Sequence, residues 1–455
     1  GQTADGSANE YALRSFFGRL TYDYDNRYLV EANIRRDGTS RIFKDSRWGV
    51  FPSFSGAWRI INEPFMEGTR NVLSDLKLRG GWGVLGNQAI SYYSYQSVLD
   101  QANYSFGGTV VQGVAPVDGA NRDLIWETTE TLNFGLDMGF LGNQYTLSIE
   151  GYRKLTYDIL MKLPVSTLYG LNAPYQNAGK VKNTGLEITA GYKLNTHGWN
   201  FQVSANAAYN KNEVMDLKNG GARIWSGKYF NQEGYAINSI GGYIAEGLFK
   251  TEEEVANSAT IPGTDTAPGD IKYRDINNDG KIDGEDRVYI GNTMPKWTFG
   301  LNLFAEWKGL DATFLFQGAA DVQGYLAGPG VVGEMIGAKG KPSYMYRDCW
   351  DAETNPNGKF PRAFSSYRQN NSIYNPSSFW IVNSSYLRLK NFQLGYTLPK
   401  EWCNMMGISR IRVYYSGQNL LTFTKFDKGF DPESPEGGSS YPQVKTNTFG
   451  LNITF

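Results

Sequence analysis

Residues 186–210 read "LEITAGYKLNTHGWNFQVSANAAYN", and the spacing of their apolar positions decides the fold. Leu186, Ile188, Ala190, Tyr192 and Leu194 fall on every second position, with Glu187, Thr189 and Lys193 between them. Past the turn-forming "NTHG", Trp199, Phe201, Val203, Ala205, Ala207 and Tyr209 alternate with Asn200, Gln202, Ser204 and Asn206. Successive side chains of a strand point to opposite faces, so each run is a strand with one oily face. That face meets either a protein core or a bilayer, and length separates the two. Ordinary strands run about 5–6 residues, whereas tilted membrane strands need about 9–11. These runs belong to the second kind.

The pattern recurs in "TLNFGLDMGF" (131–140), "WTFGLNLFAEW" (297–307) and the terminal "TFGLNITF" (448–455). Strands are expected near 12–24, 27–37, 50–60, 74–86, 127–140, 144–160, 182–194, 199–212, 294–306, 310–322, 384–397, 410–424 and 443–455. Their connections alternate. Tight ones lie around Asp25, at 141–143, 195–198 and 308–310, with compact ones at 61–73 and 398–409. Long ones span 38–49, 87–126, 161–181, 213–293, 323–383 and 425–442. Short turns at one rim and long loops at the other are the asymmetry of an outer-membrane barrel. The expected fold is therefore all-β, an antiparallel transmembrane β-barrel. Thirteen strands is an odd number, and bacterial single-chain barrels have even ones. With Phe455 placed in the periplasm, residue 12 falls at the extracellular rim, so further strands are expected upstream.

Composition supports this and removes rivals. The 455 residues carry 44 Lys plus Arg against 45 Asp plus Glu, a net charge of −1, which gives no basic face for nucleic acid. Aromatics reach 15%, and Gly 53 residues, favouring strands and turns. No run of about 18 apolar residues is present, which excludes a helical span and leaves a barrel untouched. Cys349 and Cys403 are too few for a disulfide framework and are expected at opposite rims. The single histidine, His197, sits in a turn and leaves little room for zinc or for a His-based catalytic centre.

One segment does not read as wall. "DINNDGKIDGED" (275–286) is spaced like a calcium loop. Asp275, Asn277 and Asp279 hold positions 1, 3 and 5, Gly280 the sharp turn, Lys281 a carbonyl at 7, Asp283 position 9 and Asp286 position 12. The flanks are β-rich and not helical, and Asp replaces the usual terminal Glu. The alternative is an Asn/Asp/Gly turn that needs no ion. A structural Ca2+ that stiffens the surface connection 213–293 is the expectation.

Several longer stretches resemble one family. "GDIKYRDINNDGKIDGEDRVYIGN", "SSFWIVNSSYLRLKNFQLGYTLP", "RIRVYYSGQNLLTFTKF" followed by "DPE", "FPSFSGAWRI", "LKLRGGWGVLGNQ" and "NTGLEI" are similar to the SusC/RagA-like TonB-dependent transporters of Bacteroidetes. The resemblance runs over nearly the whole chain. It implies a 22-stranded barrel of which residues 1–455 form the C-terminal portion, with the plug and first strands upstream. It also implies import of a glycan or oligopeptide across the outer membrane, a SusD-like lipoprotein lid and energy from the TonB complex.

Candidate contact residues for substrate or partner lie in the long connections: Tyr92, Tyr93, Tyr95 and Tyr104 in 87–126, and Trp350 in 323–383 near Arg362. Loop-on-loop packing is the competing reading for each tyrosine. Trp58, Trp82, Trp199, Trp297 and Trp307 near strand ends read as a belt at the lipid headgroups. Asp137, Glu150 and Glu187 read as lumen charges or plug contacts rather than catalytic acids. Two further classes compete, a calcium-stabilised surface adhesin and an outer-membrane enzyme with a rim site. The first leaves the sorted loop lengths unexplained, and the second lacks a histidine on the long-loop rim.

Overall fold

The computed structural model describes residues 4, 6, 8–326, 347–363, 375–405, 407–426, 430–434 and 443–455. Thirteen long strands dominate it: β1 (Leu13–Tyr24), β2 (Tyr28–Thr39), β3 (Trp48–Arg59), β4 (Leu73–Asn87), β5 (Glu127–Phe140), β6 (Tyr145–Tyr157), β7 (Lys180–Thr196), β8 (Trp199–Asp216), β9 (Trp297–Trp307), β10 (Leu310–Ala320), β11 (Tyr386–Thr397), β12 (Arg410–Thr424) and β13 (Thr446–Thr454). They form one sheet in which each strand pairs with the next in the chain. All thirteen expected strands are present, mostly within two or three residues of the expected limits.

The tight turns follow from backbone chemistry. His197 and Gly198 have φ of 49° and 80°, and Lys308 and Gly309 have 49° and 86°. Two consecutive positive φ values make the hairpin turn whose twist matches that of its strands. His197 is thus a turn residue. At the tight end of β5–β6, Leu141, Gly142 and Asn143 are likewise left-handed.

The chain divides into two compact units. The first comprises residues 1–190, 210–224 and 231–237. Within it β1 to β6 pair in register, Phe16 opposite Arg36, Arg36 opposite Val50, and Phe54 opposite Trp82. One face reads Tyr28, Val30, Ala32, Ile34 on β2 and Val50, Pro52, Phe54, Gly56, Trp58 on β3. The other bears Arg19, Glu31, Asn33, Ser53 and Ser55. Two small cores join its connections to the strand ends: Ile42 and Trp126 with Phe51 of β3, and Leu217 with Val181 of β7 and Val214 of β8.

The second unit comprises residues 191–209, 225–230 and 238–455. On its apolar face Trp199 stacks on Trp307, centroids 5.3 Å apart and planes 16° from parallel, while Tyr209 meets Trp297 at 4.9 Å. Ten residues separate the two contacts. At about 3.3 Å per residue and a tilt near 40°, that is roughly 25 Å of height, the apolar band of an outer-membrane barrel between its aromatic girdles. Trp199, Trp297 and Trp307 therefore take the belt positions, as Trp58 does by stacking on Tyr28. Trp82 differs, because it lies inside β4, stacks on Phe54 and donates its indole N–H to Glu130.

The long connections are structured, which composition did not reveal. Residues 87–126 contain a hairpin of Leu99–Phe106 and Thr109–Pro116. In the second unit the strands Tyr229–Asn231, Ser239–Gly242 and Val288–Gly291 pair in that order, and Ala245–Leu248 pairs with Ile271–Tyr273. Their apolar sides close on Ile240, Tyr243, Ile282, Tyr325, Cys349 and Trp380, a core built outside the wall. These strands are only three or four residues long, too short for alternation to show. Cys349, in the long connection, and Cys403, in the short one that forms the helix Lys400–Met405, are not joined in a disulfide.

Candidate functional site

The polar face of the first unit is wired together by charge. Asp137 takes Lys77 at 2.8 Å and Arg79 at 3.2 Å, and Ser148 donates to it at 2.7 Å. Arg79 also pairs with Glu150, which accepts from Asn133 at 2.9 Å. Room for the Arg79 guanidinium comes from Gly135 across the strand pair, where a Cβ would stand 2.5 Å from Arg79 Cζ. Beside this network is a pocket of 630 Å3 lined by Thr21, Glu31, Ser55, Lys77, Arg79 and Asn133. Asp137 and Glu150 are thus ion-paired, an arrangement for a wet passage and not for proton transfer to a substrate. Glu187 is exposed and has no ion pair among the described residues. In the second unit Arg412 forks onto Asp311 at 2.9 and 2.5 Å on the same kind of face.

The dodecamer is a tight ring of backbone contacts. Asp275 accepts from the N–H of Asn278 at 2.7 Å and of Gly280 at 2.8 Å. Asn277 accepts from Asp279 N–H, and Asp279 from Lys281 N–H. Asn278 and Gly280 hold φ of 58° and 85°, the left-handed conformations that such a turn requires. The Lys281 ammonium sits 2.6 Å from Asp283 and 3.5 Å from Asp279. It holds the Asp283 carboxyl below the usual range, aided by the Glu285 N–H. Asp286 is fully buried, and both its oxygens accept backbone N–H groups, from Ile276 and Asp283, at 2.8 Å each. It braces the ring. Ile282, 1% exposed, plugs the ring into the core of the connection, and its N–H bonds Thr260 at 2.9 Å.

Donor chemistry here suits a hard cation at Asp275, Asn277, Asp279, Asp283 and the Lys281 carbonyl. In this conformation an ammonium already bridges two of those carboxylates. Among the described residues no three His, Cys, Asp or Glu side chains converge as a metal cluster.

The aromatic candidates separate by what packs against them. Tyr92 packs with Tyr11 around the Arg41 guanidinium, whose Cζ is 4.6 and 4.7 Å from the two ring centroids. Tyr93 accepts from the Glu10 N–H through its hydroxyl, and Tyr95 packs on Phe43 at 5.7 Å. Trp350 is buried beneath Lys250, against Gly269. All four pack loop against loop. Tyr104 stands out on the hairpin, 66% exposed beside Phe106 at 65%. Part of the segment around Trp350, residues 344–346, lies outside the described residues.

A clamp went unnoticed in the sequence. Arg388 on β11 forks onto Asp431, with Glu433 at 2.8 Å, and Lys390 reaches Glu433 as well. The only hint was the basic pair Arg388 and Lys390, two positions apart and so on one face of the strand, far from "DPE" in the chain.

A sheet of long next-neighbour strands, one oily and one charged face, aromatic girdles and folded loops at one rim define the wall of an outer-membrane barrel. Residues 1–420 match the family described as TonB dependent receptor-like, beta-barrel, and the chain belongs to it, as an outer-membrane protein of SusC/RagA type. It is 32% identical to the TonB-dependent receptor SusC of Bacteroides thetaiotaomicron over 100% of this chain and 44% of that protein. It is 31% identical to the TonB-dependent receptor P3 of Formosa agariphila over 98% of this chain and 46% of that one. The structure of the RagAB peptide transporter superposes with a TM-score of 0.80 at 28% identity, covering 98% of this chain and 48% of that one. The chain therefore spans about half the length of the relatives it matches. Family members are receptors and transporters, so the rim-enzyme alternative falls, and the free-standing adhesin falls with it.

Proposed function

We propose that the whole protein imports a nutrient, an oligosaccharide or oligopeptide, across the outer membrane, with a SusD-like lipoprotein as lid and work supplied through TonB. In this reading residues 1–455 are the C-terminal portion of a 22-stranded barrel whose plug and first strands precede them. The observation that carries it lies within the first unit, where a charged wall centred on Lys77, Arg79, Asp137 and Glu150 goes with long connections that pack on apolar residues, as Ile42 and Trp126 do on Phe51. A polar passage conducts hydrated solutes, and a firm rim gives a lid something to dock on. Similarity to a peptide transporter and to SusC supports the class and leaves both substrate types open. Growth of a deletion strain on single peptide or glycan mixtures tests it. Loss of growth on one class, restored by the intact gene and abolished without TonB, is the expected result; unchanged growth and unchanged uptake on both classes would overturn it.

The dodecamer, in the same reading, takes a structural Ca2+ through Asp275, Asn277, Asp279, Asp283 and the Lys281 carbonyl, with Asp286 bracing the ring from beneath. The ion would supply a fixed positive charge that holds the loop closed once the Lys281 ammonium swings out. Ca2+-dependent protease resistance of the connection is the direct readout.

A further inference from the structure

The apolar side of β1 to β3 carries two positive charges at its long-connection end. Arg14 pairs across with Gly38, and Gly38 with Trp48; one row down lie Phe16, Arg36 and Val50. All six share the face that continues through Ile34, Leu20 and Phe54, which are 55%, 71% and 54% exposed. The polar wall is on the other side.

The two arginines are built in. Arg14 Cζ lies 5.0 Å from the centre of the Phe16 ring, and Arg36 Cζ lies 4.9 Å from that of Trp48. Those rings stack on each other at 6.0 Å and 29°. Trp48 lies flat over Gly38, where a Cβ would come within 2.8 Å of it. Arg14 and Arg36 are diagonal neighbours on one face, within reach of a single ligand. Among the described residues neither has a carboxylate within ion-pair distance.

Depth follows from the register. Trp48 and Trp58 are ten residues apart on β3, and Trp58 stacks on Tyr28 at the short-turn end. Ten residues of tilted strand rise roughly 25 Å, the height of the apolar band. Trp48 is therefore in the outer girdle, and the arginines are at the level of the outer-leaflet headgroups. An unpaired charge on the lipid side is costly in hydrocarbon and cheap beside an anionic headgroup. A guanidinium held over an aromatic ring can still offer the two-pronged contact that phosphate favours.

We propose that Arg14 and Arg36 form a binding site for the phosphate of an outer-leaflet lipid, whose acyl chains lie along Ile34, Val50 and Phe54. The site is independent of what the barrel imports.

The test uses the full-length protein, extracted from outer membranes in non-ionic detergent, with bound lipid counted by native mass spectrometry. A diphosphorylated lipid A, its dephosphorylated form and inorganic phosphate are the probes. The unaltered protein is expected to retain the phosphorylated lipid, and the Arg14→Gln/Arg36→Gln variant to hold at least about tenfold less. Arg14→Lys/Arg36→Lys, which keeps charge but loses the fork, should fall between. Heat-modifiable migration confirms that each variant is a folded barrel. Equal retention by the Gln variant, or equal retention of the dephosphorylated lipid, would overturn the site. Displacement by inorganic phosphate alone would overturn the lipid as ligand. A change in oligomer mass with lipid content unchanged would assign the arginines to a protein contact instead.

Discussion

Arg388 and Asp431 stand 43 residues apart in the chain and meet as a forked ion pair, each side chain only 4% exposed. Asp431 also accepts the N–H groups of Glu433 and Gln443. One buried pair thus tacks the connection after β12 onto β11.

Breaking it leaves a buried charge alone, which typically costs about 3–5 kcal/mol. Asp431→Asn should loosen the connection while the barrel stays folded, seen as faster hydrogen exchange confined to residues near 430–445. Burial pushes the Asp431 carboxyl up, but the Arg388 hydrogen bond and the two N–H groups bring it below its ordinary value. A depressed carboxyl stabilises above its unfolded pKa, about 3.9 for Asp, and that contribution is lost as pH falls through the lower folded value. The connection should therefore stay tacked down at pH 5 and come loose only in stronger acid.

Leu303 pairs with Val203 midway between the girdles, and Asn302 next to it faces the other way. Leu303→Arg should destabilise the barrel by about 2–4 kcal/mol at the bilayer midplane, whereas Asn302→Arg should cost much less. Urea titration of the full-length protein in lipid bilayers measures both. Equal costs would mean that the two faces are misassigned.

Asp275→Ala should abolish Ca2+ binding by the full-length protein in calorimetry. Lys281→Ala should tighten it, because the ligand at that position is a carbonyl and the ammonium competes for Asp279 and Asp283. Ile282→Ala leaves a void among Ile240, Tyr243 and their neighbours, and should cost about 2–5 kcal/mol of local stability whether or not the ion is present.

Tyr104→Ala removes an exposed ring and should leave thermal stability unchanged, while Tyr92→Ala should loosen the Arg41 packing. If the hairpin meets substrate or lid, uptake falls only with the first. Burial raises the Cys349 thiol to about 11, so alkylation at pH 8 should be slow until the fold is opened.

The wall was legible because a strand facing lipid must alternate over ten or more residues, and β7 and β8 announce that on their own. The turns at His197 and Lys308 were legible from their glycines. The loop interiors were not. Short strands such as Ser239–Gly242 bury every residue, so no period marks them. The dodecamer was readable in spacing, but not the burial of Asp286 or the two backbone N–H groups that it accepts. Tyr95 looked exposed by composition and only the fold half-buries it on Phe43, while Tyr92 stays exposed with its ring on Arg41. The Arg388–Asp431 pair is a long-range meeting that no local pattern encodes.

Each strand of the sheet clasps the one that follows it, whether two residues or eighty come between. The entropy of closing an insert grows only as the logarithm of its length, each doubling adding about 0.6 kcal/mol. Segments at the outer rim can be lengthened, exchanged or rebuilt with little strain on the staves beneath, so one wall can carry many different brims.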